Sequence, residues 1–250
     1  MTRVSRLCAT TALAFAAFTS APLAATVLYD NGPIVNSDGL SVMTPQENSI
    51  GFGSSITLNI ALADDFTVTG RNWTIGSIDF YAYQTLANGF TFTQADWQVV
   101  RGTDVSTASV VASGLTSVTN NGLIGYRVQH GAQGGRTRAI YRLNADMADF
   151  SLAAGSYFLI WKLAGTAASG PFVPPVLSTS AGNGFQRVNG GTFVGASDQS
   201  TGQRKDFPFT INAAATPAIP EPATWAMMIG GFAFSGAALR RQRAADVVFA

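Results

Sequence analysis

The sequence predicts an all-β body, an antiparallel β-sandwich of the jelly-roll kind, over residues 26–216. Short runs with apolar residues at alternate positions recur through this region, and Gly, Asn, Asp and Pro separate them. No stretch of the body has the spacing of an amphipathic helix. Charged residues make up only 12% of the chain, which excludes a coiled coil, a charged disordered protein and a nucleic-acid-binding protein with a broad basic face.

The strands follow from runs bounded by turn residues. The run 157–162 is apolar on both faces, which predicts a central strand. Pro208 lacks a backbone donor, so we expect the last strand to lie at an edge or to contain a bulge. The expected strands are 56–60, 65–69, 78–83, 97–101, 124–129, 139–143, 157–162 and 207–211.

One predicted strand carries a candidate ligand face. In the run 78–83, Phe80 and its alternate neighbours point to one side, whereas Asp79, Tyr81 and Tyr83 point to the other. An aspartate beside aromatic rings on one strand face suits carbohydrate binding, although contact with another sheet would explain the pattern equally well. We expect the face of Asp79, Tyr81 and Tyr83 to be exposed.

Residues 1–25 have the pattern of a secretory signal peptide. Arg3 and Arg6 precede an apolar run over 7–18, and small residues follow Pro22. The apolar run is too short to span a bilayer, which needs about 17–25 helical residues. We expect cleavage after Ala25, or one residue earlier. Cys8 is the only cysteine, so the mature chain can form no internal disulfide bond.

Residues 217–250 have the pattern of a C-terminal membrane segment. Prolines in 217–222 predict a stiff connector without helix. Residues 223–239 carry no charge and predict a short transmembrane helix. Arg240, Arg241 and Arg243 follow at once, and the positive-inside rule predicts that they lie on the cytoplasmic side as a topological stop.

This segment resembles the PEP-CTERM sorting tail, which is also labelled an ice-binding protein C-terminal domain. The resemblance rests on Pro220-Glu221-Pro222, the Gly-interrupted apolar run and the arginine cluster, in that order. It implies that an exosortase, a membrane protease, recognises the Pro-Glu-Pro motif and processes the exported protein. It also implies a Gram-negative bacterium that makes extracellular polysaccharide. We therefore expect export through the inner membrane, transient anchoring, and a final place at the cell surface or in a biofilm matrix with exopolysaccharide as a partner.

The body offers little catalytic chemistry. His130 is the only histidine, and its glycine-rich surroundings predict a turn between two strands. Histidine and cysteine are too few for a zinc site. Glu47 is the only glutamate of the processed body, and Asp64 and Asp65 would point to opposite faces of a strand. We expect a non-catalytic protein without a cofactor. The alternatives are a carbohydrate-binding module, or a polysaccharide hydrolase that uses aspartates such as Asp146 and Asp149.

Two further features of the body predict surface contacts. Oxygen ligands from Asp30, Asn31, Asp64 and Asp65 would form a structural calcium site if their loops meet. The densest positive patch is interpreted as a solvated sheet surface, with contact to an anionic polysaccharide as the alternative. It comprises Arg127, Arg136, Arg138 and Arg142.

Overall fold

The computed structural model describes residues 26–177, 182–215 and 222–246. The predicted signal peptide lies outside the described residues, as do Pro220 and Glu221 of the sorting motif. The chain divides into two compact units. One unit is Ala25–Ala215, which contains the strands, and the C-terminal helix belongs to the other.

The described part of the body contains thirteen strands and no helix, as the absence of helical spacing predicts. The strands are β1 (Val27–Asp30), β2 (Leu40–Val42), β3 (Phe52–Gly53), β4 (Ala61–Val68), β5 (Trp73–Ala82), β6 (Phe92–Arg101), β7 (Ser109–Val128), β8 (Ala139–Leu152), β9 (Gly155–Gly165), β10 (Phe172–Val173), β11 (Phe185–Arg187), β12 (Val194–Gly195) and β13 (Phe209–Ala213).

A single sheet of eleven strands carries most of the body, in the order β1-β13-β5-β8-β7-β6-β9-β4-β11-β12, with β2 beside β7. Strand β7 is 20 residues long and belongs to both halves of this sheet. Its residues 109–117 pair with β6, and its residues 118–126 pair with β8. The neighbouring strands are antiparallel except for the parallel pair of β2 and β7.

The two halves of the sheet curl towards each other around an aromatic core. Phe80 of β5 contacts Trp161 of β9 with ring centroids 5.8 Å apart, and Phe66 of β4 contacts Phe209 of β13 at 6.1 Å. All four side chains are buried. The predicted all-β, mostly antiparallel body is therefore confirmed, as a curled sheet of eleven strands with a separate two-stranded sheet of β3 and β10.

Of the eight predicted strands, three lie within observed strands and four overlap them in part. Strand β9 is a buried central strand between β4 and β6, as its double-sided apolar pattern predicts. The strand predicted over 56–60 is wrong. Ser55 and Ile60 exchange backbone hydrogen bonds at 2.8 and 2.9 Å, which closes a turn between them. Asn59 adopts a φ of 48° in this turn, a conformation that a strand does not allow.

Of the two alternatives predicted for the last strand, the edge position is wrong, whereas the bulge is present between Asn212 and Ala213, opposite β5. Strand β13 pairs with β1 on one side and with β5 on the other. Pro208 stands just before the first residue of β13, so its missing N–H removes no bond from either ladder.

Candidate functional site

The C-terminal helix α1 (Pro222–Asp246) begins within the predicted sorting motif. Proline is favoured at the first position of a helix, because the N–H that it lacks would have no intrahelical partner there. Ser235 donates its hydroxyl to the carbonyl of Gly231 at 2.8 Å, one turn earlier. The helix therefore begins one residue earlier than predicted, at the last proline of the expected connector, and extends beyond the predicted end at residue 239.

The exposed surface of α1 is apolar over most of its length. Three consecutive residues, 227–229, are all exposed, so the apolar surface surrounds the helix instead of forming one stripe. Arg240 follows this surface and is exposed. The exposed apolar side chains are Trp225, Met227, Met228, Ile229, Phe232, Phe234 and Leu239.

Across the described residues, no helix combines the length and the apolarity that crossing a membrane requires. The transmembrane helix expected over 223–239 stays a prediction.

The predicted ligand face on β5 lies in the interior of the protein. Asp79, Tyr81 and Tyr83 are 3%, 2% and 0% exposed, so the prediction that they are exposed is wrong. The carboxylate of Asp79 accepts hydrogen bonds from the side-chain amides of Asn144 at 2.7 Å and Asn212 at 3.1 Å. Strand alternation separated the two faces correctly, but the second face is covered by side chains of the flanking strands β8 and β13 and by Ile34, Val35 and Phe172.

The two tyrosines of this face are held in place by contacts inside the protein. Tyr81 shares a hydrogen bond of 2.9 Å with the hydroxyl of Thr210. Tyr83 packs against Phe172 with ring centroids 5.7 Å apart. Burial raises the pKa of Tyr83 to about 12. Neither ring is available for stacking on a sugar.

The structure brings the predicted calcium ligands Asn31 and Asp64 together, but as hydrogen-bond partners. The carboxylate of Asp64 is fully buried and accepts from the backbone N–H of Phe207 at 2.6 Å, the amide of Asn31 at 3.1 Å and the N–H of Asp65 at 2.9 Å. Burial raises its pKa to about 8, against the effect of the N–H donors, and the nearby charges of Asp206 and Asp65 raise it further.

This donor set does not resemble a calcium site, because the oxygens of Asp64 face N–H groups. In the part of the chain that the structure describes, no three His, Cys, Asp or Glu side chains form a group able to hold a metal ion. Asp30, Asp64 and Asp65 accordingly do not form such a group. The geometry gives the calcium prediction no support.

The structure contains another group of buried charged residues, which the sequence analysis did not identify as a cluster. Arg127, expected on a solvated surface, is 2% exposed and donates to the carbonyl of Ile50 at 2.8 Å and the hydroxyl of Ser41 at 3.1 Å. Glu47 forms an ion pair with Lys205, and both side chains are more than nine-tenths buried. No local spacing signals this cluster, because its members are far apart in the sequence.

Asp198 fixes the segment that passes over this cluster. Its carboxylate accepts from the backbone N–H groups of Asn48 at 3.0 Å and Ser49 at 2.7 Å, and also from Ser200 and Thr201. Burial opposes ionisation, but these donors outweigh it and hold the pKa of Asp198 well below its usual value. Asp198 is therefore a structural residue.

The remaining polar candidates lie at the surface. His130 is exposed and follows β7 in a turn that the N–H of Ala132 closes on the carbonyl of Gln129 at 3.1 Å, which confirms the predicted turn. Asp146 and Asp149 are exposed on β8.

Comparison with known proteins identifies the C-terminal segment. No curated protein matches the chain. Residues 218–243 match the family model described as the PEP-CTERM protein-sorting motif. The match includes Pro220, Glu221 and Pro222 and ends with Arg243, so it covers both the expected recognition motif and the arginine cluster. The chain therefore carries a PEP-CTERM protein-sorting motif and is an exported protein that an exosortase sorts to the cell surface.

Proposed function

We propose that the chain is a non-catalytic protein of the cell surface or extracellular matrix. Its tail is a sorting signal that is removed by cleavage, and its β body is the domain that remains at the surface. The observation that carries this proposal is the sorting motif at residues 218–243. The matched residues include most of α1, a helix whose exposed surface is largely apolar.

The tail would act in three steps, each assigned to its own residues. The apolar helix holds the exported chain at the membrane, and Arg240, Arg241 and Arg243 stop its passage from the cytoplasmic side. Pro220-Glu221-Pro222 then lies near the outer boundary of the membrane, within reach of a membrane-embedded exosortase. Cleavage there would release the body, in the manner of other C-terminal signals that position a cleavage site and are then discarded.

Support for a non-catalytic body comes from the surroundings of its buried acids. Hydrolysis of a glycosidic bond needs two carboxyl groups that flank the bond in an accessible cleft. Asp64, Asp79 and Asp198 are buried, and their carboxyl groups accept hydrogen bonds from amide or N–H donors of the protein itself. Glu47 is paired with Lys205. We infer a matrix role in which exopolysaccharide is a partner and is not cleaved.

Replacing Glu221 tests the proposed processing. In a host with an exosortase, Glu221→Ala should leave export intact and accumulate an uncleaved form in the membrane fraction. Pro217→Ala changes a connector proline outside the matched residues and serves as the control, which should be processed like the wild type. Equal processing of both variants would contradict the assignment of the motif.

The matrix role needs a separate measurement. The full chain is incubated with exopolysaccharide of the host, and both sedimentation with the polymer and release of soluble oligosaccharides are followed. We expect co-sedimentation without release. Released oligosaccharides would show that the body is a hydrolase.

A further inference from the structure

Strand β7 has a long backbone edge that no other strand of the described residues covers. Residues 109–117 pair with β6 on one side. Strand β8 joins β7 only from Val118 onwards, so the opposite edge of 109–117 lacks a neighbour among the described strands. Such an edge presents free N–H and C=O groups that can pair with another strand.

The edge carries none of the charges that usually protect an exposed strand. From Val105 to Tyr126 the chain has no Asp, Glu, Lys or Arg, and no Pro. The one protective feature is a bulge beside Val111, where Val99 and Val100 of β6 pair with residues 112 and 110. The remaining six residues, 112–117, form a regular strand.

The other free strand edges are either charged or short. Residues 146–152 of β8 pair only with β5, and Asp146 and Asp149 lie exposed on them. The outermost strands β1 and β12 are four and two residues long. Among these free edges, only that of β7 is both long and uncharged.

Exposed apolar side chains concentrate on the same strand. In the described residues of the body, nine large apolar side chains are exposed, and four of them belong to β7. Leu115, at 62% exposed, stands in the middle of the regular segment with Ser113 and Ser117 on the same face. The four are Val110, Val111, Leu115 and Leu123.

A groove open to solvent runs along the free edge of β7. A groove of about 580 Å³ separates residues 112–117 of β7 from residues 146–150 of β8. Trp97 and Phe150 line it, stacked with ring centroids 5.7 Å apart. A strand added to β7 would cover this opening to the core.

We propose that the free edge of β7 pairs with the same edge of a second copy of this chain, as two antiparallel strands related by a twofold axis. The absence of charge selects this partner, because a twofold axis brings like charges close together and residues 109–117 carry no charge. With the axis at residue 114, Leu115 of one copy faces Ser113 of the other, so no charge opposes another across the pair. Copies sorted to one surface would meet in this way and form pairs.

Two lysine variants test the pairing in the full chain, solubilised in detergent. Leu115→Lys places like charges close together across the twofold axis, and we expect it to weaken dimerisation by about fivefold in sedimentation experiments. Leu58→Lys is the matched control, because Leu58 is 60% exposed and lies in a turn away from β7. This control should dimerise like the wild type. A monomeric wild type, or an equal dimer fraction in both variants, would overturn the proposal.

Cysteine cross-linking distinguishes edge pairing from association through the tail helix. In a Cys8→Ser background, Ser113→Cys and Leu115→Cys should each be joined by a bismaleimide that spans about 8 Å, the diagonal distance between neighbouring strands. Leu58→Cys should not be joined. Dimers that resist cross-linking at both β7 positions would show that another surface, or a different partner, covers the edge.

Discussion

The backbone N–H of Phe207 donates to the buried carboxylate of Asp64 at 2.6 Å, across 143 residues of sequence. The contact ties the approach to β13 to the middle of β4, with Asn31 after β1 as a third partner. The carboxylate thus joins three segments, and its ionisation affects all of them.

We expect the stability of the body to fall as pH rises through the range in which Asp64 ionises. Burial raises the pKa of Asp64 to about 8 from the usual 3.8, so the folded state retains a proton that the unfolded state releases. The contribution to the free energy of unfolding is complete below about pH 4 and is lost by about pH 8. Urea denaturation between pH 4 and pH 9 measures it.

Two variants identify the group responsible. Asp64→Asn should remove this pH dependence, at the cost of placing an amide against N–H donors. Asp146→Asn, at an exposed position, should retain it. A stability that is equal at pH 5 and pH 8 in the wild type would contradict the assignment.

The body should fold alone without metal or disulfide. Ala25–Ala215 is a compact unit with its own aromatic core, and its sequence contains no cysteine. We expect residues 26–216 to unfold cooperatively and to give a β-type circular dichroism spectrum in reducing buffer with a chelator. A melting temperature that a chelator lowers would restore the calcium site.

The ion pair of Glu47 and Lys205 should matter far more than a surface pair. Lys205→Met leaves the buried Glu47 without its partner, and we expect a loss of about 3–5 kcal/mol in the free energy of unfolding. Adding Glu47→Leu should recover part of the loss, because no buried charge then remains. A double-mutant cycle in urea measures both effects.

The matched control is the more exposed pair of Lys162 and Asp96, whose charged atoms lie 2.8 Å apart. Lys162→Met should cost less than about 1 kcal/mol. Equal losses for the two lysine variants would mean that burial of Glu47 and Lys205 has no energetic consequence.

Gly125 allows the parallel approach of β2 to β7. A Cβ atom at this position would overlap the carbonyl oxygen of Gly39, to which the N–H of Tyr126 donates at 3.0 Å. We expect Gly125→Ala to destabilise the body by about 1–3 kcal/mol, since two backbones must separate. Gly134→Ala is the control, with open space around the new methyl group. A thermal melt that is unchanged by Gly125→Ala would contradict this account.

Local pattern was sufficient for much of the fold. The double-sided apolar run of β9 and the alternation around Phe80 identified strands and faces correctly, because the period of two is a property of each strand by itself. The same pattern could not show that Asp79 and Tyr81 are covered, since the covering side chains come from β8 and β13. Arg127 and Asp198 were missed for the same reason, because their partners are distant in sequence.

The C-terminal motif could be recognised from the sequence because its residues lie together in one segment. Pro220, Glu221 and the arginine cluster lie in one short segment, which the family match at residues 218–243 covers. In the described part of the body, the buried charges of Asp64, Asp79 and Glu47 are instead held by partners that are distant in sequence.

The intact mass of the protein at steady state in a host with an exosortase tests the central claim most directly. It reads both termini at once. The account predicts a chain that begins at Thr26 or Ala25 and has lost residues 223–250. A mature protein that still carries residues 223–250 would contradict exosortase processing and leave the tail as a permanent anchor.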